Sequence, residues 1–385
     1  CGTALDLSDI QAIEIGLSEY DTAGNWSPEG ASGTLRLDDW TTVSADELRL
    51  EMDHFECIES NPEVMSEVAA DLLARQAPHG LVPSWYSETP TRYYTYNQAN
   101  ALAVFSLEAE RTADTAYTEA ADRLADRILS LQADGGWVDF YQDDDKGGVE
   151  SPSDIAWEGN VAWSVIGLRI YADRAADPSA AEAAISEGAQ WLMAKMDSYA
   201  ASGGPSGGIT AGVEGNISTY FALVAAGETD AAQQVADFLM AHAWDGQRLW
   251  MGISDPGIAL DVVGNWGALF LRHQGLDEEA LAASSLGAGI FPVASWDGSM
   301  VGMGDIAGPW QPTVEFTGQY IAAGGIGSQW LLEQIELLED PSTPGAYPGS
   351  PDDYSAGIGW NTAMYGIAPS SWVYFAHHGG ILLDL

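Results

Sequence analysis

Four carboxyl residues, Glu158, Glu214, Asp261 and Glu315, stand at or just before the starts of short apolar segments, and Asp154 lies slightly upstream of the first. Breaking a glycosidic bond takes two such groups: an acid with a raised pKa for the leaving oxygen, and a base or nucleophile for the anomeric carbon. A carboxyl held beside an indole and away from water has its pKa raised. Glu158 follows Trp157 and is therefore the expected acid, with Glu214 or Asp261 as the base that activates water in an inverting reaction. The same stretches carry Trp85, Tyr96, Trp137, Trp157, Trp266, Trp310 and Trp360, from a total of fifteen Trp. Flat rings stack on the apolar faces of sugars, while amides such as Asn97 and Asn160 bind hydroxyls. A competing reading is purely structural, since acidic residues favour helix N-termini in any protein.

The elements that would position these groups alternate in character. Amphipathic segments with one polar face run at 63–76, 116–132, 179–197, 229–243, 277–288 and 327–339. Between them lie segments apolar nearly all round, at 97–109, 159–172, 215–226, 262–273, 316–323 and 369–377, and helices without a polar face are buried ones. Four of these inner segments open alike, with Glu158-Gly159-Asn160, Glu214-Gly215-Asn216, Val263-Gly264-Asn265 and Thr317-Gly318-Gln319. Their glycines are 56, 49 and 54 residues apart, a loose internal repeat in which Gly removes a Cβ where helices crowd. Residues 1–61 differ, with short alternating stretches between Gly, Asn, Asp and Pro, and are expected to form an extended or small β segment beside a helical body at 62–385.

Six outer helices alternating with six buried ones resemble the (α/α)6 toroid of the six-hairpin glycosidase superfamily over residues 62–385, so the expected fold class is all-α. The resemblance implies a cleft at the inner-helix N-terminal face and a carbohydrate-active enzyme, a glycoside hydrolase on a polysaccharide or glycan. Within the superfamily the chain lacks the paired Asp-Asp of endo-mannanases. Its Trp157-Glu158-Gly159-Asn160 stretch is similar to the Arg-Gly-Asn-Gly-Trp segment of unsaturated glucuronyl hydrolases, without the Arg. A lyase acting on uronates is disfavoured for the same reason, because Arg is scarce. The alternative function is a non-catalytic surface protein, a glycan-binding lipoprotein or a subunit that self-assembles through residues 1–61.

Charge narrows the setting. The chain has 57 Asp+Glu against 13 Lys+Arg, a net charge of −44, which excludes a nucleic-acid partner by repulsion. A surface this acidic repels itself in dilute buffer and resembles that of halophile proteins, because molar salt shortens the screening length to about 3 Å. Cys1 followed by Gly resembles the lipid-anchored start of an exported lipoprotein, and a Cys1–Cys57 disulfide is the other use of the only two cysteines. Both readings place the protein outside the cytoplasm, and a sequon at Asn25 is compatible with surface glycosylation. No cofactor is expected. The one weak metal candidate is a calcium loop at Asp143 to Asp145, which lacks the bidentate Glu of an EF-hand.

Overall fold

The computed structural model describes residues 58–144, 146–305, 311–352 and 361–380. Those residues belong to one compact unit, Ile58–Leu385. The strands expected before residue 52, together with Cys1, Cys57 and Asn25, lie outside the described residues, as do Trp310 and Trp360.

Among the described residues, twelve α-helices alternate between two layers. The outer layer consists of α1 (Pro62–Arg75), α3 (Thr115–Leu131), α5 (Ser179–Ala201), α7 (Thr229–His242), α9 (Asp277–Ile290) and α11 (Ser328–Glu336). The inner layer consists of α2 (Thr95–Thr112), α4 (Glu158–Ala172), α6 (Val213–Ala225), α8 (Trp266–His273), α10 (Val314–Ala322) and α12 (Ile367–His378). Each inner helix packs on the next, with α8 reaching α10 through the turn at Asp261–Asn265 just before it, and α12 returns to α2, which closes the ring. The layering follows from the sequence pattern. In α3, Tyr117, Ala121, Leu124 and Ile128 are buried while the intervening charges face water, whereas α4 buries ten consecutive or near-consecutive residues from Val161 to Ala172. No helix among the described residues is long and apolar enough to cross a membrane.

The repeated glycines do their expected work at three of four positions. A Cβ on Gly318 would lie 2.8 Å from Cβ of Trp372, one on Gly264 would lie 3.1 Å from the Tyr320 ring, and one on Gly215 would lie 3.2 Å from the Glu158 side chain. At Gly159 nothing lies within 4 Å, so crowding does not account for that glycine.

Three features depart from the expected pattern. Five of the inner helices begin one or two residues before their apolar runs, so Tyr96, just outside the first run, sits in the first turn of α2. Short antiparallel strands decorate the loops: β1 (Arg92–Tyr94), β2 (Phe140–Asp143) and β3 (Val149–Glu150) form one sheet, and β4 (Pro292–Ala294) pairs with β5 (Val301–Met303). Finally, a wide π turn at Asp261–Asn265 precedes α8. A Cβ on Gly267 would meet the Val262 carbonyl oxygen at 1.8 Å, so glycine is what lets the chain pass from the wide turn into α8.

Candidate active site

All six inner helices send residues from their first turns, or from the turn just before, into one cavity of about 630 Å³. Glu158 opens α4, Glu214 is the second residue of α6, Asp261 begins the π turn before α8, and Glu315 is the second residue of α10. All four line the cavity, and so does Asp139, from the loop before β2, a carboxyl with no predicted role. Tyr96 and Asn97 come from α2, Asn160 from α4, and Ala368 from α12.

Aromatic rings form the walls and floor. Trp85, Trp157 and Trp266 line the cavity, joined by Tyr94, Trp163 and Phe316. Trp157 is 52% exposed. Deep in the ring, Trp163, Trp266 and Trp372 from alternate inner helices pack together, with ring centroids 5.5, 5.7 and 5.0 Å apart. Tyr96 meets Trp163 edge-on at 5.3 Å. Trp163 and Trp372 carried no signal in the sequence beyond an apolar helix, because a residue at the ring axis and one in the ordinary core have the same kind of neighbours along the chain.

Trp137 is a correction. It does not line the cavity; it is 1% exposed, its Nε1 donates to the Ile128 carbonyl at 2.9 Å, and its ring packs where a Cβ on Gly188 would stand. The tight Ala133–Gly136 turn carries the indole between α3 and α5 instead of toward the ring axis. Asp154 is exposed and also lies off the cavity. In the proposed calcium loop, Asp143 Oδ1 accepts from the Tyr93 hydroxyl at 2.8 Å, and Asp144 Oδ1 accepts from the Lys146 and Gly148 amides at 2.8 and 2.7 Å. Both carboxylates thus shape the turn, and Asp145 lies outside the described residues.

The electrostatics also shift the roles expected from sequence. Trp157 is turned to solvent and Glu158 is only half-buried, so the indole shelter argued for Glu158 is absent. The sheltered carboxyls are the others. Burial pushes Asp261 up to about 7, helped by the nearby Glu214 and Asp305 charges. Burial likewise raises Glu315 to about 7, against the lowering effect of hydrogen bonds from Tyr96 and Gln319. Glu214 is raised by burial and by the neighbouring Glu158, with an opposing hydrogen bond from Ser218. Helix N-termini favour anions by about 0.3–1 kcal/mol each, and at Asp261 and Glu315 desolvation outweighs that.

Glu315 is the most firmly held of the set. Its Oε1 accepts from the Tyr96 hydroxyl at 2.9 Å and from Gln319 Nε2 at 3.1 Å. Gln319 is in turn oriented by Asn265, whose amide donates to Gln319 Oε1 at 3.2 Å. Asn160 donates to Asp139 at 2.9 Å, and Asn216 ties the start of α6 to Ile209, Thr210 and Gly212. The amide that follows each repeated glycine is therefore a strut for the cavity rim. None of the described lining residues is Lys, Arg or His, and the internal segments 306–310 and 353–360 contain none in their sequence.

No protein-family model matches the chain, and no curated protein sequence matches it either. Solved structures do. A D-mannose isomerase superposes with a TM-score of 0.64 at 13% identity, covering 85% of this chain and 98% of that one. A wild-type glycosidase gives 0.60 at 13% identity over 85% and 97%, and the cellobiose 2-epimerase of Spirochaeta thermophila gives 0.57 at 14% over 88% and 98%.

Proposed function

We propose that this chain, which has the six-hairpin (α/α)6 toroid fold, is a glycoside hydrolase acting on a neutral glycan. One observation carries the reading: five carboxyl groups surround a tryptophan-floored cavity with no cationic side chain among its described lining residues. Glycoside cleavage passes through an oxocarbenium-like transition state, whose positive charge such a cavity stabilises. Isomerisation or epimerisation by proton abstraction beside a carbonyl builds negative charge on oxygen, which the same cavity would repel. Uronate substrates are disfavoured for the same reason. Glycan binding without catalysis gains nothing from burying three carboxyls without a cationic partner, each at a desolvation cost.

In this reading Glu315 is the general acid. Burial keeps it protonated to about pH 7, and it holds one orientation. Glu158 comes from α4, three steps around the ring from α10, and acts on the attacking water. The Glu315 proton passes to the glycosidic oxygen as the bond to the anomeric carbon breaks. Water adds to that carbon, and its proton passes to Glu158. Asp261 and Glu214 face the developing positive charge. The aromatic floor of Trp163 and Trp266 takes an apolar sugar face.

The test is reducing-end release from a panel of neutral polysaccharides and oligosaccharides in molar KCl, with Glu315→Gln and Glu158→Gln run beside the parent. Release by the parent and a loss of at least 100-fold in both folded variants is expected. Interconversion of free aldoses and ketoses, without any bond cleavage, would overturn the reading.

A further inference from the structure

We propose that Tyr96 and Trp372 are positioning residues that fix which oxygen of Glu315 carries its proton. The Trp372 indole Nε1 donates to the Tyr96 hydroxyl oxygen at 2.7 Å. Gln319 Nε2 also donates to the same oxygen at 3.4 Å. With its oxygen accepting, the Tyr96 hydroxyl sends its own proton onward, to Glu315 Oε1 at 2.9 Å. The second donor to Oε1, Gln319 Nε2, is oriented by Asn265, whose amide donates to the Gln319 oxygen.

Two N–H or O–H groups thus point at Oε1, and a carboxyl proton on that oxygen would collide with both. The acidic proton is therefore left on Oε2. The arrangement suits an acid that must release its proton. Once Oε2 has given the proton up, the charge left on the carboxylate is met at Oε1 by two donors already in place, with no reorganisation. Four parts of the ring form the network behind this oxygen: α2 and α10 donate to it through Tyr96 and Gln319, and α12 and the π turn orient those two through Trp372 and Asn265. Trp372 is fully buried and does not itself line the cavity; beyond packing on Trp163 and Trp266 it donates its indole N–H to Tyr96, so its polar part is orientation and polarisation of that hydroxyl.

The inference concerns the protonation of Glu315 and rests on the proposed function only for its catalytic meaning, so the test needs no substrate. Full-length protein labelled with ¹³C at the glutamate side-chain carboxyl is titrated by NMR in molar KCl, and Glu315 is assigned by its loss in Glu315→Gln. A midpoint near 7 is expected in the parent. Tyr96→Phe removes one of the two donors that stabilise the carboxylate and raises the midpoint by about one pH unit. Trp372→Phe keeps the aromatic packing and raises it by a smaller amount.

A merely structural role for these side chains would lower Tm and leave the midpoint in place. An unmoved midpoint in folded Tyr96→Phe overturns the proposal. If Trp372→Phe fails to fold, Tyr96→Phe still decides the matter, since it retains the ring that packs on Trp163. Loss of hydrolysis in Glu315→Gln with no midpoint shift in Tyr96→Phe would retain the hydrolase and reject the positioning network. The reverse pattern would reject the hydrolase and retain the network.

Discussion

The hydroxyl of Tyr96 donates to Oε1 of Glu315 at 2.9 Å, across 219 residues of chain, and links the first turns of α2 and α10 over the cavity floor. That contact exists only because the ring closes, and it joins the aromatic and acidic halves of the site into one hydrogen-bonded unit. Glu214, by contrast, has a hydrogen bond from Ser218 of its own helix and lies beside other carboxyls. The cavity is thus asymmetric, with one anchored carboxyl facing a group of mutually repelling ones.

Stability is expected to depend on pH through Asp261. Its folded pKa is raised from 3.8 to about 7, so the folded state binds its proton more tightly than the unfolded one. The associated stabilisation is complete below about pH 4 and is lost as pH rises toward 7. A shift of about three units corresponds to at most roughly 4 kcal/mol. Asp261→Asn removes this dependence, so its Tm advantage over the parent should grow between pH 4 and 7 and level off above. Thermal melts across that range in molar KCl check it, and a constant difference would refute the assignment.

The two glycines Gly159 and Gly318 occupy the same place in the repeated motif, yet opposite outcomes are expected on substitution. Gly318→Ala drives a Cβ to 2.8 Å from Trp372 Cβ and 2.9 Å from its backbone, and should cost about 1–3 kcal/mol. Because it displaces Trp372, it should also raise the Glu315 midpoint. Gly159→Ala meets nothing within 4 Å in the first turn of α4 and should be neutral or stabilising by up to about 1 kcal/mol. Denaturant midpoints of the two variants measure the contrast directly.

Trp157 tests the cavity wall without disturbing the core. It is 52% exposed, so Trp157→Ala should change stability by less than about 0.5 kcal/mol. If a sugar stacks on the ring, the loss of about 1 kcal/mol raises KM roughly fivefold and leaves kcat nearly unchanged. Steady-state kinetics on whichever glycan the hydrolysis panel identifies would show the split.

Salt should act on the whole molecule. With a net charge of −44, repulsion among surface carboxylates is expected to lower Tm sharply below about 0.1 M KCl and to be relieved at molar strength. A Tm that stays flat from 0.1 to 2 M KCl would remove the halophile reading.

Periodicity determined the two layers. Apolar stretches without a polar face had to be inner helices and amphipathic ones had to cover them; that six of each close on themselves was an expectation from the toroid resemblance, and the packing of α12 on α2 shows it. The same reading put Glu158, Glu214, Asp261 and Glu315 near inner-helix starts, which in a ring of this kind means near one another. Which of them is sheltered was beyond it. Solvent exposure depends on neighbours contributed by other helices, so Trp157 turned out exposed, Trp137 was swung between α3 and α5, and Trp163 and Trp372 emerged at the ring axis. The π turn that brings Asp261 to the cavity, although the repeat aligns Val263 with Glu158, depends on a glycine six residues further on. Chain order carries the local rule that makes each helix. The pKa of a carboxyl, the direction of a hydroxyl proton and the floor beneath a sugar are set by groups far apart in the chain, 219 residues for Tyr96 and Glu315, and only the tertiary fold brings those together.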